Sequence, residues 1–265
     1  MTLLVGALYP WNHLSEYGIF RSLPEMLKPA AGVIIAADSR WTYPDGRTED
    51  GAVKLFGVGS NALAAYAGSA IAGEDAIIGL STQLKGGEAT LTEWTAHVTA
   101  VIDAAWQQHQ PNNDGLEILL AYSYPSGSAW LGHFSSVDGF SPHEVTDMIT
   151  IGPEPARQHF SQALRAATAE SMRSPETAAS LLIIETGAAL IVATLTDVCE
   201  LRADEAVGGK VLCATTILGQ PQGVGVTRAM PAPDGVRFDE LGLNAQQGRT
   251  VRLGFEYTPP PGESR

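Results

Sequence analysis

Two kinds of hydrophobic pattern alternate in blocks along this chain, and their order constrains the fold more than any single motif does. Short apolar runs rich in β-branched residues predict strands, and longer apolar or amphipathic segments predict helices. Strands are predicted at residues 2–8, 32–37, 53–58, 62–67, 116–124, 129–135, 144–151, 210–218, 224–229 and 250–257. Helices are predicted at residues 73–84, 91–110, 155–171 and 177–201. Because strands and helices come in separate blocks instead of alternating one by one, the sequence predicts the α+β class.

Length and chain punctuation predict one domain with one inserted segment. No shift in composition divides the 265 residues, and a domain of this size buries enough apolar surface to need no disulfides. Residues 9–30 contain three prolines among mixed polar and aromatic residues, which is typical of an irregular excursion. The Pro-rich tail, residues 258–265, is expected to be flexible. The predicted domain is therefore residues 1–257, with an inserted loop at 9–30.

Charge and hydropathy narrow the possible partners. A net charge of −13 argues against nucleic acid and against anionic membranes, because both need a basic face. Residues 178–196 are apolar and long enough to span a bilayer, but Glu185 near their middle and the lack of basic flanks favour a buried helix. The first ten residues lack the basic region that opens a secretory signal, so we expect a cytoplasmic protein.

The common nucleotide, metal and serine-hydrolase motifs are missing from the sequence. There is no GxxxxGK[ST], no GxSxG and no HExxH, and the six histidines are scattered. Cys199 and Cys213 lie in apolar stretches without CxxC spacing, which predicts two buried thiols. The sequence therefore predicts neither a metal site nor a cofactor.

An acid and a base in the first third of the chain are the first candidates for chemistry. Asp38 follows a buried strand, and Lys54 lies sixteen residues further on, in the apolar run Val53–Phe56. A charge in such surroundings needs a partner or loses its ionisation. Pairing Asp38 with Lys54 satisfies both groups, either as an ordinary structural ion pair or as part of an active site.

Thr2 adds a possible nucleophile. It follows the initiator methionine, and a small second residue favours removal of Met1. The α-amine of an exposed Thr2 would have an ordinary pKa of about 7.7–8.0, so it can accept a proton near neutral pH. Hydroxyl and base would then sit on one residue.

The stretch from residue 32 to residue 77, which begins GVIIAADSRWTY, resembles the start of a proteasome β-subunit and is similar to the bacterial HslV and Anbu-type peptidases. Asp38, Lys54 and Gly68 match the aspartate, the lysine and the oxyanion-hole glycine of this family in identity and spacing. The resemblance implies an N-terminal nucleophile (Ntn) hydrolase with a four-layer αββα sandwich. It also implies assembly into homo-oligomeric rings or stacks.

Further roles follow from the resemblance alone. Thr2 would be the nucleophile, with Asp38 and Lys54 beside it and the Gly68 N–H as the oxyanion donor. Thr42, Tyr66 and Ala70 would contact the substrate, and Arg40 and Asp204 would support the site. The expected activity is that of a threonine peptidase or amidase, with a peptide or amide as its substrate.

Two departures from the family pattern keep other functions open. The family's serine-containing run before the third helix is here residues 151–155, without serine, and the serine expected after Asp204 is Val207. A non-catalytic assembly or regulatory protein of the same fold is one alternative hypothesis. A small-molecule amidase or acylase, with the 9–30 segment narrowing the site, is another.

Overall fold

The computed structural model contains two large antiparallel sheets that bring distant parts of the chain together. It describes residues 2–11, 31–43, 45–58, 62–83, 91–109, 115–124, 127–173, 184–217, 220–223, 236–237, 251–252 and 256–257. Within these residues the protein is a mixed α and β structure with four α-helices. The predicted combination of strands and helices is thus observed.

The first sheet has five strands in the order β10-β1-β2-β11-β12, and every neighbouring pair is antiparallel. The strands are β1 Leu4–Tyr9, β2 Gly32–Asp38, β10 Met148–Ile151, β11 Val211–Ile217 and β12 Gln220–Gly223. β2 is buried along its whole length, because a strand in the middle of a covered sheet faces protein on both sides. That position explains its continuous apolar sequence.

The second sheet has six strands in the order β14-β5-β6-β7-β8-β9. Its strands are β5 Leu55–Val58, β6 Ala62–Gly68, β7 Leu116–Ser123, β8 Ala129–Ser135, β9 His143–Glu144 and β14 Val251–Arg252. Two short pairs complete the strands: β3 Arg40–Thr42 with β4 Thr48–Asp50, and β13 Val236–Arg237 with β15 Glu256–Tyr257.

The helices are α1 Ala70–Gln83, α2 Leu91–His109, α3 Glu154–Ser171 and α4 Ile184–Glu200. Pro155 lies in the first turn of α3. An N–H at this position would have no partner within the helix, and the fixed φ of proline suits a helical backbone. A 3₁₀ turn, Ser136–Asp138, follows β8. Within the part of the chain that the structure describes, every helix falls short of the length and apolar character needed to cross a bilayer.

Three hydrophobic clusters show which elements pack together. One joins β1, β2 and β11 to helices α3 and α4, through residues such as Ile34, Phe160 and Ile191. A second joins the six-stranded sheet to α1 and α2. The third contains side chains from both sheets, including Leu4 and Leu119. The two sheets therefore contact each other, and each also contacts one pair of helices.

Several predicted boundaries need correction. The single strand predicted at 144–151 is wrong, because the chain leaves β9 in one sheet, buries Val145 between the sheets and enters β10 in the other. The strand predicted at 250–257 is present only as β14 and β15, with 253–255 outside the described residues.

The insertion predicted at 9–30 begins too early. Tyr9 still belongs to β1, and Tyr9 and Trp11 are buried against the helices of the first cluster. Residues 12–30 lie outside the described residues, as do the strand predicted at 224–229, the first part of the helix predicted at 177–201 and the tail. The extent of one domain over 1–257 stays a prediction.

Candidate active site

The carboxylate of Asp38 is held in place by hydrogen bonds from three backbone amides. It is the last residue of β2 and is fully buried. Its Oδ1 accepts a hydrogen bond from the Leu3 amide at 2.9 Å, and its Oδ2 accepts from the amides of Arg40 at 3.2 Å and Gly208 at 3.0 Å. Burial raises the pKa of this carboxyl, while Lys54 and the three amide donors oppose the rise. The carboxyl is thus held rigidly by three separate parts of the chain.

Lys54 lies just before β5, and its side chain is almost completely buried. Its Nζ is 3.5 Å from Asp38 Oδ1 and also donates hydrogen bonds to the Arg40 carbonyl and to Thr2 Oγ1. Burial lowers the pKa of the Lys54 ammonium, and the neighbouring Asp38 opposes that shift. A lysine with a lowered pKa, in contact with a hydroxyl, can exchange a proton with that hydroxyl.

Thr2 precedes β1 and is 5% exposed. Its backbone is packed closely against Gly152, where φ is +138°, and a Cβ at Gly152 would lie only 2.4 Å from the Thr2 carbonyl oxygen. A glycine is therefore required at 152 if Thr2 is to keep this position. The sequence analysis singled out residues 151–155 only because they lack the serine that the resemblance implies. It did not predict that Gly152 makes room for Thr2.

Gly68 is the last residue of β6. Its φ is +95°, and a Cβ there would lie 1.8 Å from the Gly115 carbonyl oxygen. The Ser69 amide donates a hydrogen bond to that same carbonyl at 3.0 Å. Both the left-handed backbone and the close approach therefore exclude any side chain at position 68.

We expect Gly68→Ala to lower the free energy of unfolding by about 2–4 kcal/mol, since it combines an unfavourable φ with a backbone clash. Gly51→Ala is the matched control. Its φ is +111°, but nothing lies within 4 Å of the added methyl group, so we expect a loss of only about 1 kcal/mol. Urea unfolding of both variants measures the difference, and equal losses would contradict the proposed clash.

These residues surround an open cleft of about 270 Å³. The cleft is lined by Thr2, Arg40, Trp41, Thr42, Lys54, Tyr66, Gly68 and Ala70. Six of the seven residues predicted as catalytic or substrate-contacting therefore line one space: Thr2, Thr42, Lys54, Tyr66, Gly68 and Ala70. The seventh, Asp38, does not line the cleft but contacts Lys54. Trp41 was missed, because an aromatic residue in a short strand gives no signal of function.

The two predicted supporting residues differ in their placement. Arg40 reaches the cleft, but its guanidinium is held by Asp50, with Nε 2.8 Å from Oδ1, and by the Glu205 carbonyl at 3.2 Å. Asp204 accepts a hydrogen bond from the Ala206 amide, within its own turn. Among the described contacts, Asp204 therefore shapes the loop before β11 and does not join the group around Thr2.

The loop before β11 contributes to the site through its backbone instead. The Gly208 amide binds Asp38, and Thr42 Oγ1 donates to the Ala206 carbonyl at 3.4 Å. Val207, at the position where the resemblance implies a serine, is fully buried in the apolar cluster of the first sheet. The glycine pair at 208–209 was the available sequence signal for this contact.

Cys199 and Cys213 are buried free thiols, and burial raises the pKa of each to about 12. In the part of the chain that the structure describes, no group of three or more histidine, cysteine or acidic residues is arranged to hold a metal ion.

No protein-family model matches the chain, and no curated protein matches it.

Proposed function

We propose that this protein is a threonine hydrolase that cleaves peptide or amide bonds, with Thr2 as its nucleophile. The observation that carries the proposal is the contact between the Thr2 hydroxyl and the Lys54 amine at an open cleft. A hydroxyl beside a buried lysine that is itself anchored by a carboxylate is the arrangement that activates a nucleophile. An ordinary structural ion pair would need no such hydroxyl facing a cleft.

The mechanism requires cleavage of the peptide bond before Thr2, which frees the α-amine. Thr2 Oγ1 attacks the carbonyl carbon of the substrate, and its proton passes to the α-amine or to Lys54 Nζ. The oxyanion that forms accepts a hydrogen bond from the Gly68 N–H, and one such donor contributes about 3 kcal/mol. The same base returns the proton to the departing amine, which leaves an ester on Thr2.

Water completes the cycle. A water molecule gives a proton to the base and attacks the ester carbonyl, and collapse of the second tetrahedral intermediate releases the carboxylic acid product. The proton returns to Thr2 Oγ1, so the enzyme is regenerated without an added cofactor. Asp38 takes part only by holding Lys54 in place, and the burial that lowers the pKa of Lys54 favours its neutral form.

The packing of the sheets and helices supports this proposal at the level of the fold. Contact between the sheets, with a helix pair on each, is what the four-layer αββα sandwich of Ntn hydrolases would require. The end of β2 and the region before β5 would then present Asp38 and Lys54 at one edge of the sandwich. We also propose that copies of this chain assemble into rings or stacks, and light scattering tests this by measuring the mass of the particle in solution.

A non-catalytic protein of the same fold is the second candidate. The observation that favours it is Val207, an apolar and fully buried residue at the position of the family's serine. In this structure, however, one of the three amide hydrogen bonds to Asp38 comes from Gly208, next to Val207, and this bond needs no serine hydroxyl. Covalent labelling separates the two candidates.

The test combines intact mass with a peptide-based electrophile that acylates or alkylates hydroxyl nucleophiles. We expect purified protein to have the mass of a chain beginning at Thr2, and to gain one equivalent of label there. Thr42 lines the same cleft and is the internal control, because no lysine contacts its hydroxyl among the described hydrogen bonds. Retention of Met1 on every molecule, or a chain that begins at Thr2 and takes no label, would overturn the proposal.

A further inference from the structure

Arg40 contacts both members of the Asp38–Lys54 pair through its backbone. Its amide donates a hydrogen bond to Asp38 Oδ2 at 3.2 Å, and its carbonyl accepts one from Lys54 Nζ. A displacement of residue 40 therefore moves a hydrogen-bond partner of the acid and of the base at the same time.

Asp50 holds the side chain of Arg40. The two residues lie directly opposite each other in the β3–β4 pair. Both carboxylate oxygens of Asp50 are used, since Oδ1 accepts a hydrogen bond from Arg40 Nε at 2.8 Å and Oδ2 accepts one from Nη2 at 3.3 Å. A bidentate pair of this kind fixes the orientation of the guanidinium as well as its position. Asp50 is half exposed and is not among the described residues that line the cleft, so it is placed to act on Arg40 and not on a substrate.

The same guanidinium holds the loop before β11. Its Nη1 donates hydrogen bonds to the carbonyls of Glu205 at 3.2 Å and Val207 at 3.5 Å. The backbone of Gly208 packs against it, because a Cβ on Gly208 would lie only 2.4 Å from Arg40 Cζ. The Gly208 amide in turn donates to Asp38 Oδ2 at 3.0 Å. Arg40 therefore fixes the loop that supplies one of the three amide donors to Asp38.

We propose that Asp50 is a positioning residue of the active site. By fixing the Arg40 guanidinium it holds the loop before β11, and so keeps the Gly208 amide on Asp38 and Asp38 beside Lys54. The inference rests on the proposed threonine hydrolase function. It adds to the site a residue that the resemblance to a family did not identify.

Loss of the Asp50 carboxylate should lower the pKa of Lys54. Burial raises the pKa of Asp38 and the Gly208 amide opposes that rise, so a loosened loop makes Asp38 easier to protonate and a poorer counter-charge. Burial lowers the pKa of Lys54, and the negative charges of Asp38 and Asp50 oppose that shift. Cys199 also acts on Lys54, but burial raises its pKa to about 12, so the thiol stays neutral as Lys54 titrates.

The test is Asp50→Asn, which keeps the shape of the side chain and removes its charge. NMR of isotope-labelled lysine side chains follows the titration of Lys54 directly, and the chain has only four lysines to assign. We expect Lys54 to titrate at a lower pH than in the parent protein. We also expect kcat for amide hydrolysis to fall at least about 10-fold, because the reacting groups are misplaced, with KM changed by less than about twofold.

Asp45→Asn is the matched control. Asp45 pairs with Arg47 in the same hairpin, with Arg47 Nε 2.8 Å from Asp45 Oδ2, and both side chains are exposed. The variant removes the same charge from an equivalent ion pair and should leave kcat and the titration of Lys54 as in the parent protein. Asp50→Glu keeps the carboxylate and should restore most of both.

Arg40→Lys separates positioning from the direct effect of the Asp50 charge. It keeps both charges but loses the planar fork that binds Asp50 and the loop carbonyls together. If Asp50 acts through Arg40, this variant should lower the titration of Lys54 in the same direction and also reduce kcat.

The outcomes separate this inference from the function on which it rests. Parent-like titration of Lys54 or parent-like kcat in Asp50→Asn would overturn the inference, and so would a shift of Lys54 that Arg40→Lys does not reproduce. If Asp50→Asn does not fold, Arg40→Lys decides by the same measurements. Absence of turnover in the parent protein, together with absence of label on Thr2, would overturn the hydrolase proposal and with it any role of Asp50 in the reaction, whatever the titration shows.

Discussion

Replacing Thr2 with alanine is expected to reduce amide hydrolysis by about 10⁴-fold or more, because the variant has no oxygen with which to form the ester. The α-amine, Lys54 and Gly68 remain, so any residual rate measures what the rest of the site supplies without a nucleophile. The fold should persist. The deleted hydroxyl accepts one hydrogen bond from Lys54, whose other contacts, to Asp38 and to the Arg40 carbonyl, are retained. We therefore expect a stability loss of only about 1 kcal/mol.

Thr2→Ser is the matched control, since it keeps the hydroxyl and the α-amine and removes only a methyl group. We expect it to retain measurable turnover and to take the electrophilic label. Initial rates and thermal unfolding measured on both variants give the comparison. Turnover in Thr2→Ala within tenfold of the parent protein would exclude Thr2 as the nucleophile.

Lys54→Met is expected to reduce turnover by about 10³-fold and also to destabilise the fold. Methionine fills a similar volume but carries no charge, so it neither activates Thr2 nor neutralises Asp38. Asp38 is fully buried, and leaving such a carboxylate without its cation should lower the free energy of unfolding by about 3–5 kcal/mol. Steady-state kinetics and urea unfolding on the same preparation separate the two effects.

Two further lysine variants show whether the loss of turnover in Lys54→Met comes from the lost charge or from the lost proton acceptor. Lys54→Arg restores a cation near Asp38, but a guanidinium does not lose its proton, so we expect partial recovery of stability with turnover still low. Lys210→Met removes a lysine that lies just before β11 and outside the lining of the cleft, and it should leave turnover unchanged. Parent-like activity in Lys54→Met would show that Lys54 is structural only.

The strands and helices could be predicted from the sequence wherever one hydrophobic period persists. The apolar run of β2 and the paired helices α1 and α2 were placed within a few residues, because burial imposes a clear pattern on them. The region 144–151 could not be read in this way. Its residues are apolar enough for one strand, but the chain passes from one sheet to the other at Val145. Such a crossing has no regular hydrophobic repeat in the sequence from which it could be predicted.

The candidate site was predictable where chemistry demands a particular residue type. The Asp38–Lys54 pair follows from the cost of burying charges, and Thr2 was singled out by its place after the initiator methionine. The resemblance to a family supplied the position of Gly68. The backbone contributions could not be predicted. Leu3, Gly152 and Gly208 act through an amide group or through the absence of a side chain, and such roles depend on which loops meet in space.

Three of the groups that contact Asp38 lie far from it along the chain, and this has a consequence for when the proposed site can form. The Leu3 amide is 35 positions away along the chain, Lys54 is 16 positions away and the Gly208 amide is 170 positions away. Closing loops of such length is entropically costly and happens only as the whole structure consolidates. On the proposed mechanism, a growing or half-assembled polypeptide would therefore have no activated Thr2.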